Sequence, residues 1–540
     1  MPFVPLFSIL TPLIGIAVLL VIANLPWLRP YRRFVPPVGA GLVLIAVFCG
    51  AFEPLRTVIV SRWQPSMFFG AFPALIADRA VLPLALAFSC AVAASALVQM
   101  SRLPQPPYAL GVSLLGMLAA GLMALWGENL LTVLIAWVGF DLAWGLGSLA
   151  AGVSVRRTVL GVGLNSLATL ILWAGAVMIE PEMGGFSWRL LLLTGVGRQF
   201  FVLAGLLRLG LYPLHLSLPP EAGSGLPGAV PLLLGPLLGW GLLARLATVS
   251  GGSLQAWPWV EGWAALALLA GGVLAWTRRG PSGGWPWAAM AAAGGVLWAS
   301  VGAGEAALLP LGGGGAAWVL GVSLLGLDRG LARSAPWRSI PALAGGLALI
   351  GAPLTMGLFT TAYLARLIAA NFSLARLLVL VLGQGLLVAA VVQRILRPAP
   401  DEESPGPLFE AARWAGVALL LAVALVGGFS PRLLAPLRPA LSLWRLLALP
   451  GVAGWLLWIA GIAVGGALSW SMLRLRQRWE ALRALAYDLL RLEWLHSLAL
   501  DSLAQVTAFL GAVADVLEGP GAILWALAIF FLILQALLRR

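Results

Sequence analysis

The sequence predicts an all-α integral membrane protein, and three observations support this fold class. Of the 540 residues, 61% are hydrophobic and only 10% are charged. The mean hydropathy of +0.99 lies far above that of a soluble globular chain. Apolar stretches of roughly 20 residues, the length of a membrane-spanning helix, recur from one end of the sequence to the other. Because these stretches are continuously apolar and do not alternate, they predict helices.

Short breaks that carry Arg, Pro, Gly and Trp divide the chain into about fifteen or sixteen predicted spans with short loops between them. The first span lacks the basic start of a secretory signal, so we interpret it as a helix of the folded protein. The predicted spans cover about 5–25, 38–52, 68–100 (one long helix or two short ones), 109–126, 128–150, 158–179, 190–212, 228–248, 259–277, 286–303, 311–327, 342–369, 374–396, 413–429, 451–473 and 520–538.

Four segments follow from this pattern: N-terminal helices over 1–105, a first half over 106–250, a second half over 255–400, and C-terminal helices over 410–540. Within the last segment, residues 474–497 combine Leu and Trp with regularly spaced arginines. This spacing predicts an amphipathic helix that lies along the membrane surface. The arginines concerned are Arg474, Arg476, Arg478, Arg483 and Arg491.

The formal net charge is +13, and all 33 basic residues are Arg, since the chain contains no Lys. The arginines occur singly and in pairs at the ends of spans, which indicates membrane topology with the N-terminus outside and no nucleic-acid partner. Cys49 and Cys90 lie in apolar runs, where a thiol packs as a small hydrophobe, so no disulfide or iron-sulfur cluster is expected.

Charged side chains inside a span are costly and are therefore functional candidates. Asp141 and Arg208 lie within spans, and we expect them to form an ion pair between helices. The alternative is that one of them reaches an interface or bonds backbone carbonyls. His215 follows closely and either exchanges protons or makes a structural hydrogen bond. Arg198 lies nearly three turns before Arg208, and Glu128 is expected at a helix end.

Two spans contain an interior proline, Pro213 in the first half and Pro353 in the second. Broken helices at corresponding positions of two halves predict an internal, inverted repeat with a transport pathway beside the breaks, although ordinary proline kinks are the alternative. The sequence shows no metal-ligand spacing, no phosphate loop and no paired nucleophile and base. We therefore expect no catalytic site, metal or cofactor in this chain.

The segment Arg208-Leu-Gly-Leu-Tyr-Pro-Leu-His-Leu-Ser-Leu-Pro-Pro-Glu221 is followed by a turn rich in Pro and Gly. It resembles the broken seventh helix of the antiporter-like membrane subunits of respiratory complex I (NADH:quinone oxidoreductase) and of multi-subunit cation/proton antiporters. Asn129-Leu-Leu and Phe140-Asp141-Leu are similar to the family's helix that carries a conserved Glu, and 347–359 resembles its broken twelfth helix. By motif the resemblance covers roughly 105–400.

The resemblance implies proton or sodium translocation, with Asp141, Arg208 and His215 as the main candidates and Glu128, Arg198 and Glu221 as accessory ones. The family's later lysine and histidine positions fall on neutral residues here, which implies a degenerate channel in the second half. Arg is also a poor proton carrier, because its pKa exceeds 12. The positions concerned are Ala317 or Trp318, Thr361 and Pro231.

Three functional hypotheses remain open. The first is an ion-translocating subunit of a complex-I-like or antiporter-like assembly in the bacterial inner membrane, with other membrane subunits and the lipid bilayer as its partners. The second is a non-conducting docking subunit of such a complex or of a bicarbonate-uptake system. The third is a standalone transporter of a small solute. Under the first hypothesis any redox activity belongs to the whole complex.

Overall fold

The computed structural model describes residues 4–50, 52, 57–61, 72–101, 107–179, 187–188, 195–215, 227–254, 256–278, 284–327, 336–396, 406–430, 442–474, 476–518, 527 and 530–531. The chain is a multi-pass membrane protein built almost entirely of helices. It forms two compact units, Met1–Arg483 and Ala484–Arg540, and the helices that could carry ion chemistry belong to the first.

The described residues of the N-terminal part and the first half form eight α-helices, two 3-10 helices and one small hairpin. The helices are α1 (Val4–Asn24), a 3-10 helix (Pro26–Phe34), α2 (Val35–Gly50), α3 (Leu82–Met100), α4 (Tyr108–Trp126), α5 (Leu130–Ala150), α6 (Val155–Val177), α7 (Gly195–Arg208), a 3-10 helix (Pro227–Leu234) and α8 (Pro236–Val249). The hairpin pairs β1 (Thr57–Ile59) antiparallel with β2 (Ala74–Ile76).

The rest of the described chain contains eleven α-helices. They are α9 (Pro258–Thr277), α10 (Trp285–Gly302), α11 (Gly315–Leu327), α12 (Ile340–Leu349), α13 (Leu358–Ala370), α14 (Leu374–Ile395), α15 (Pro407–Phe429), α16 (Leu443–Ala448), α17 (Gly451–Arg474), α18 (Arg476–Leu490) and α19 (Glu493–Glu518). A 3-10 turn (Gly304–Ala306) and a π-helical turn (Leu309–Gly314) precede α11, and a 3-10 helix (Pro336–Ser339) precedes α12.

Twelve helical segments of the described chain are long and apolar enough to cross a membrane. α7, α12 and α13 fall short of that length, with 14, 10 and 13 residues, because the chain leaves helical geometry after α7 and between α12 and α13. These are the two predicted breaks. The all-helical, multi-span fold class is therefore confirmed, whereas the predicted boundaries of the four segments stay a prediction.

Two regions differ in detail from the sequence-based expectation. The predicted span over 68–100 is shorter in the structure, because Ala74–Ile76 forms a strand and α3 begins only at Leu82. The region predicted as one amphipathic helix over 474–497 contains the whole of α18 and the start of α19, and between them Leu492 has a φ of +53°. The predicted span over 520–538 lies almost wholly outside the described residues.

Helices of the two halves pack in the same order. α4 contacts α5, α5 contacts α6 and α6 contacts α7, and in the second half α9 contacts α10, α10 contacts α11 and α11 contacts α12. In each half the chain breaks after the fourth helix. The two described halves therefore share the helix order and the position of the break that the predicted repeat requires.

Small residues allow these helices to approach closely. A Cβ added to Gly239 of α8 would lie 2.6 Å from the carbonyl oxygen of Gly205 in α7, and one added to Gly345 of α12 would lie 2.7 Å from that of Gly321 in α11. Such contacts stabilise helix pairs in lipid, where packing replaces the hydrophobic effect as the driving force. The broken helices α7 and α12 are thereby held in fixed positions against their neighbours.

Candidate functional site

The start of α5 sets the orientation of the helix that carries Asp141. Asn129 caps the helix, because its side-chain oxygen accepts hydrogen bonds from the backbone nitrogen of Thr132 at 3.0 Å and from its hydroxyl at 2.9 Å. The Asn129 amide donates to the carbonyl oxygen of Phe72 at 2.6 Å, which ties the helix to the segment before β2. Three turns later, α5 buries Asp141, whose exposed fraction is only 4%.

Asp141 and Arg208 form a two-point ion pair between α5 and α7. Nη1 of Arg208 donates to Oδ1 of Asp141, and Nη2 donates to Oδ2 at 2.8 Å. Nη2 also donates to the hydroxyl of Thr169 at 2.9 Å, and Asn165 bonds the Asp141 carboxylate, so α6 contributes both polar neighbours. The ion pair expected from the sequence is present.

Arg208 is the last residue of α7, and its guanidinium carbon lies 4.4 Å from the centre of the Trp137 ring. A cation over an aromatic face is stabilised by the ring quadrupole, most strongly where water is absent. The guanidinium therefore has a carboxylate, a hydroxyl and an aromatic ring as neighbours. Because Arg keeps its proton, it supplies a fixed positive charge, and Asp141 is the group of this pair that can exchange a proton.

The chain breaks directly after this ion pair. Gly210 has a φ of +59°, a conformation that favours glycine, and Pro213 follows. His215 is buried, stacks against Tyr212 with 5.6 Å between ring centres, and meets the edge of Trp287 at 5.0 Å. The structure thus places His215 in an aromatic pocket just beyond the break, and its predicted role in proton transfer stays a prediction.

The second break, between α12 and α13, also has a glycine with positive φ followed by a proline, but no charged residue ends the helix before it. α12 ends at Leu349, Gly351 has a φ of +70°, and Pro353 follows. The hydroxyl of Thr361 donates to the Gly351 carbonyl at 3.0 Å. α12 therefore ends on the apolar Leu349, whereas α7 ends on Arg208. At the second break, the neutral hydroxyl of Thr361 satisfies the carbonyl oxygen of Gly351.

The other positions compared with the family's lysines are also occupied by neutral residues. Ala317 is buried, and the indole nitrogen of Trp318 donates to the carbonyl oxygen of Ala289 at 2.6 Å. In the described part of the second half, the carboxylates are Glu261, in the first turn of α9, and Glu305, in the exposed turn between α10 and α11. Neither lies in the middle of a span. The described interior of the spans in this half therefore contains no carboxylate.

The accessory candidates are spread apart. Glu128 lies at the junction of α4 and α5, where its carboxylate accepts a hydrogen bond from the Ser187 hydroxyl and its backbone nitrogen donates to Ala74 at 2.9 Å. Arg198 lies in the first turns of α7, about 15 Å along the helix from Arg208. Glu221 lies outside the described residues. Of the described candidates, the structure therefore pairs Asp141 with Arg208, whereas Glu128 and Arg198 lie elsewhere.

A second ion pair, between a buried arginine and a partly exposed carboxylate, was missed from the sequence. Nη1 of Arg245, on α8, lies 3.0 Å from Oδ2 of Asp78, and Nη2 donates to the carbonyl oxygen of Leu125 at 2.7 Å. Asp78 lies between β2 and α3, 167 positions earlier in the chain. The sequence could have indicated this pair through Arg245 itself, because a charged residue within a span needs a partner.

Among the described residues, no group of three His, Cys, Asp or Glu side chains is placed to hold a metal ion. The polar contacts of Asp141 come from the guanidinium of Arg208 and the amide of Asn165. This donor set suits a buried carboxylate that is held by hydrogen bonds.

No protein-family model matches the sequence, and no curated protein matches it. Several solved structures match the fold of the chain. A chain of the Mrp complex from Dietzia sp. DQ12-45-1b superposes with a TM-score of 0.76 at 16% identity, covering 99% of this chain and 62% of that one. The membrane-bound sulfane sulfur reductase, an archaeal respiratory membrane complex, gives 0.70 at 16% identity, covering 98% and 99%. Respiratory complex I from Thermus thermophilus with bound NADH gives 0.60 at 19% identity, covering 83% and 100%.

The chain therefore has the fold of the antiporter-like membrane subunits, as the motifs around Asp141, Arg208 and Pro353 indicated. It spans about 62% of the Mrp chain and the whole length of the chains from the two respiratory complexes. Identities of 16 to 19% establish the fold alone.

Proposed function

We propose that this chain is a membrane subunit of a multi-subunit complex of the respiratory or cation/proton antiporter type, located in a bacterial inner membrane. In that complex it takes part in translocating protons, or sodium ions, through the first half. The observation that carries the proposal is the buried pair of Asp141 and Arg208 at the break of α7.

The pair has the properties that an ion-transfer site requires. A carboxylate deep within apolar helices is costly and persists only when its partners compensate for the lost water. Here Arg208 supplies the charge, and Asn165 and Thr169 supply neutral hydrogen bonds that remain when the carboxylate is protonated. The adjoining break frees backbone polar groups beside the pair, as the broken helices of transporters do.

A second function, docking without conduction, is favoured by the second half. Its break is closed by Thr361, its helix-end residue is Leu349, and its described carboxylates lie outside the span centres. A continuous path across the whole chain would need titratable groups in that half. Under this alternative the Asp141 pair holds α5 to α7 and conducts nothing.

The test is ion flux through the complex that this chain forms. The chain would be tagged, isolated with its partners, and reconstituted into vesicles that contain a pH-sensitive dye. A potassium diffusion potential would then drive proton entry. We expect Asp141→Asn to reduce the flux to that of protein-free vesicles, because Asn does not bind a proton reversibly. Glu305→Gln, which removes an exposed carboxylate of the same chain, should leave the flux unchanged.

The controls separate the two candidate functions. Wild-type flux that Asp141→Asn leaves intact, in an intact complex, excludes translocation through this pair. No flux in the wild-type complex supports docking. Isolation of the chain without any partner, under conditions that keep other membrane complexes together, contradicts its assignment as a subunit.

A further inference from the structure

A groove opens where four N-terminal helices end on one side of the membrane. It lies between the end of α1, the 3-10 helix Pro26–Phe34, the end of α3 and the start of α4, and it is open on one side. The proposed ion pair lies on α5 and α7 and contributes no residue to it. The groove is therefore a feature separate from the Asp141–Arg208 pair.

Two side chains that line this groove carry buried nitrogen atoms with no hydrogen-bond acceptor among the described residues. Gln99 is only 5% exposed, and its side-chain nitrogen has no such partner. The Nε of Arg33 is likewise buried without an acceptor. A buried donor without an acceptor is energetically unfavourable. Two such donors on one groove indicate a ligand with acceptor oxygens.

The guanidinium of Arg33 is held in place by aromatic rings. Its carbon lies 5.1 Å from the centre of the Phe34 ring and 4.6 Å from that of Phe409, at the start of α15. The cation is therefore oriented by apolar contacts and is not neutralised by a carboxylate among the described residues. Arg32 also lines the groove. An anion is the ligand that this arrangement favours.

The remaining walls are apolar, which distinguishes the groove from a simple anion site. Leu19, Pro36 and Met100 line it beside the polar groups. On the outer face of α1, a stripe of side chains at helical spacing leads away from this end of the helix and is exposed. The stripe consists of Ile14, Val18, Val21 and Leu25. A ligand that places a charged group in the groove could lay an apolar chain along this stripe.

The position matches the membrane surface. Trp27 and Tyr31 of the 3-10 helix are 71% and 59% exposed, and such rings are typical of the boundary between lipid tails and headgroups. The alternation of spans and the distribution of arginines predict that this end faces the inside. Anionic lipids are recognised by basic pockets between helices on that face.

We propose that this groove binds the phosphate headgroup of an anionic phospholipid. Arg33 and Gln99 donate hydrogen bonds to phosphate oxygens, and an acyl chain lies along the exposed stripe of α1. A free phosphate ion offers the same oxygens but leaves the apolar walls and the stripe uncovered. The lipid therefore accounts for both parts of the site.

The full-length chain, in its complex or purified in a neutral detergent, would be titrated with phosphatidylglycerol while thermal unfolding is followed. Phosphatidylcholine and inorganic phosphate at the same concentrations are the parallel arms. We expect only phosphatidylglycerol to raise Tm. Arg33→Gln and Gln99→Leu should each raise the half-saturating lipid concentration about tenfold, because each removes a donor to a charged oxygen.

Arg29→Gln is the matched control, since it removes an exposed arginine of the same 3-10 helix that does not line the groove. Its half-saturating concentration should stay within about twofold of wild type, because a distant exposed charge contributes little. Native mass spectrometry should also show one retained phosphatidylglycerol in the wild type and in Arg29→Gln, and none in Gln99→Leu.

Two results would overturn the proposal. Equal effects of Arg33→Gln and Arg29→Gln would show that the response is attraction to surface charge in general. An equal rise of Tm with inorganic phosphate, lost in Arg33→Gln, would assign the groove to a free anion. If Arg33→Gln fails to fold, Gln99→Leu and the comparison of the two lipids on the wild type still decide between these outcomes.

Discussion

The energy of the Asp141–Arg208 pair can be measured by removing its two charges separately and together. Arg208→Met removes the positive charge and keeps much of the side chain that packs against Trp137. It leaves a carboxylate that is 4% exposed without its cation. Breaking a buried pair in this way costs about 3–5 kcal/mol, since the remaining charge stays desolvated.

Asp141→Asn has a smaller expected cost, because the amide oxygen still accepts one hydrogen bond from the guanidinium. We expect about 2 kcal/mol for this change. With both substitutions no buried charge remains, and Asn165 can bond the new amide. The double variant should therefore be more stable than the sum of the single effects by about 2 kcal/mol.

The assay is unfolding in mixed micelles of neutral and denaturing detergent, followed by the fluorescence of the 25 tryptophans. The partly exposed pair of Arg376 and Glu261 serves as the control. Its atoms lie 2.8 Å apart, but the side chains are 34% and 22% exposed. The same cycle with Arg376→Met and Glu261→Gln should give a coupling below about 1 kcal/mol. Additive effects at Asp141 and Arg208 would refute the reasoning, because they would show that the two charges do not interact.

Three further variants test other parts of the fold in the same unfolding assay. Gly351→Ala should destabilise the chain by about 2 kcal/mol or more, since its φ is +70° and the new Cβ would lie 2.1 Å from the Thr361 hydroxyl. The control is Gly152→Ala, where φ is +82° and no atom lies within 4 Å of the new Cβ; it should cost only about 1 kcal/mol. Equal losses would show that the packing at the second break is unimportant. Thr361→Val should cost about 1 kcal/mol for the lost hydrogen bond to Gly351, and no loss would contradict that bond. Asp78→Asn should cost about 2 kcal/mol because Arg245 is left with less compensation, and a neutral result would mean that the Leu125 carbonyl suffices for this arginine.

Several features of the site could be predicted from the residues themselves. A carboxylate and a guanidinium in different apolar spans must be neutralised, and with few such charges available, pairing Asp141 with Arg208 was the simplest solution. The breaks after α7 and α12 could be predicted from Pro213 and Pro353, because proline removes a backbone donor and clashes with the preceding turn.

Other features depended on chain positions far apart in the sequence. The partner of Arg245 is Asp78, which no local pattern connects to α8. The strand Ala74–Ile76 lies in an apolar run that has the composition of a helix, and its pairing with Thr57–Ile59 decided its conformation. Asn165 and Thr169 became part of the site only because α6 packs between α5 and α7.

The sequence by itself determined that the protein spans the membrane many times, because apolar length and the need to bond every backbone group in lipid leave only helices. It also determined that the interior is poor in titratable groups, since residue types are read directly. Only the tertiary structure decided which charges meet, which break is closed by neutral groups, and that Arg33 and Gln99 face one groove. Those relations depend on how distant helices pack, and packing is set by the whole chain at once.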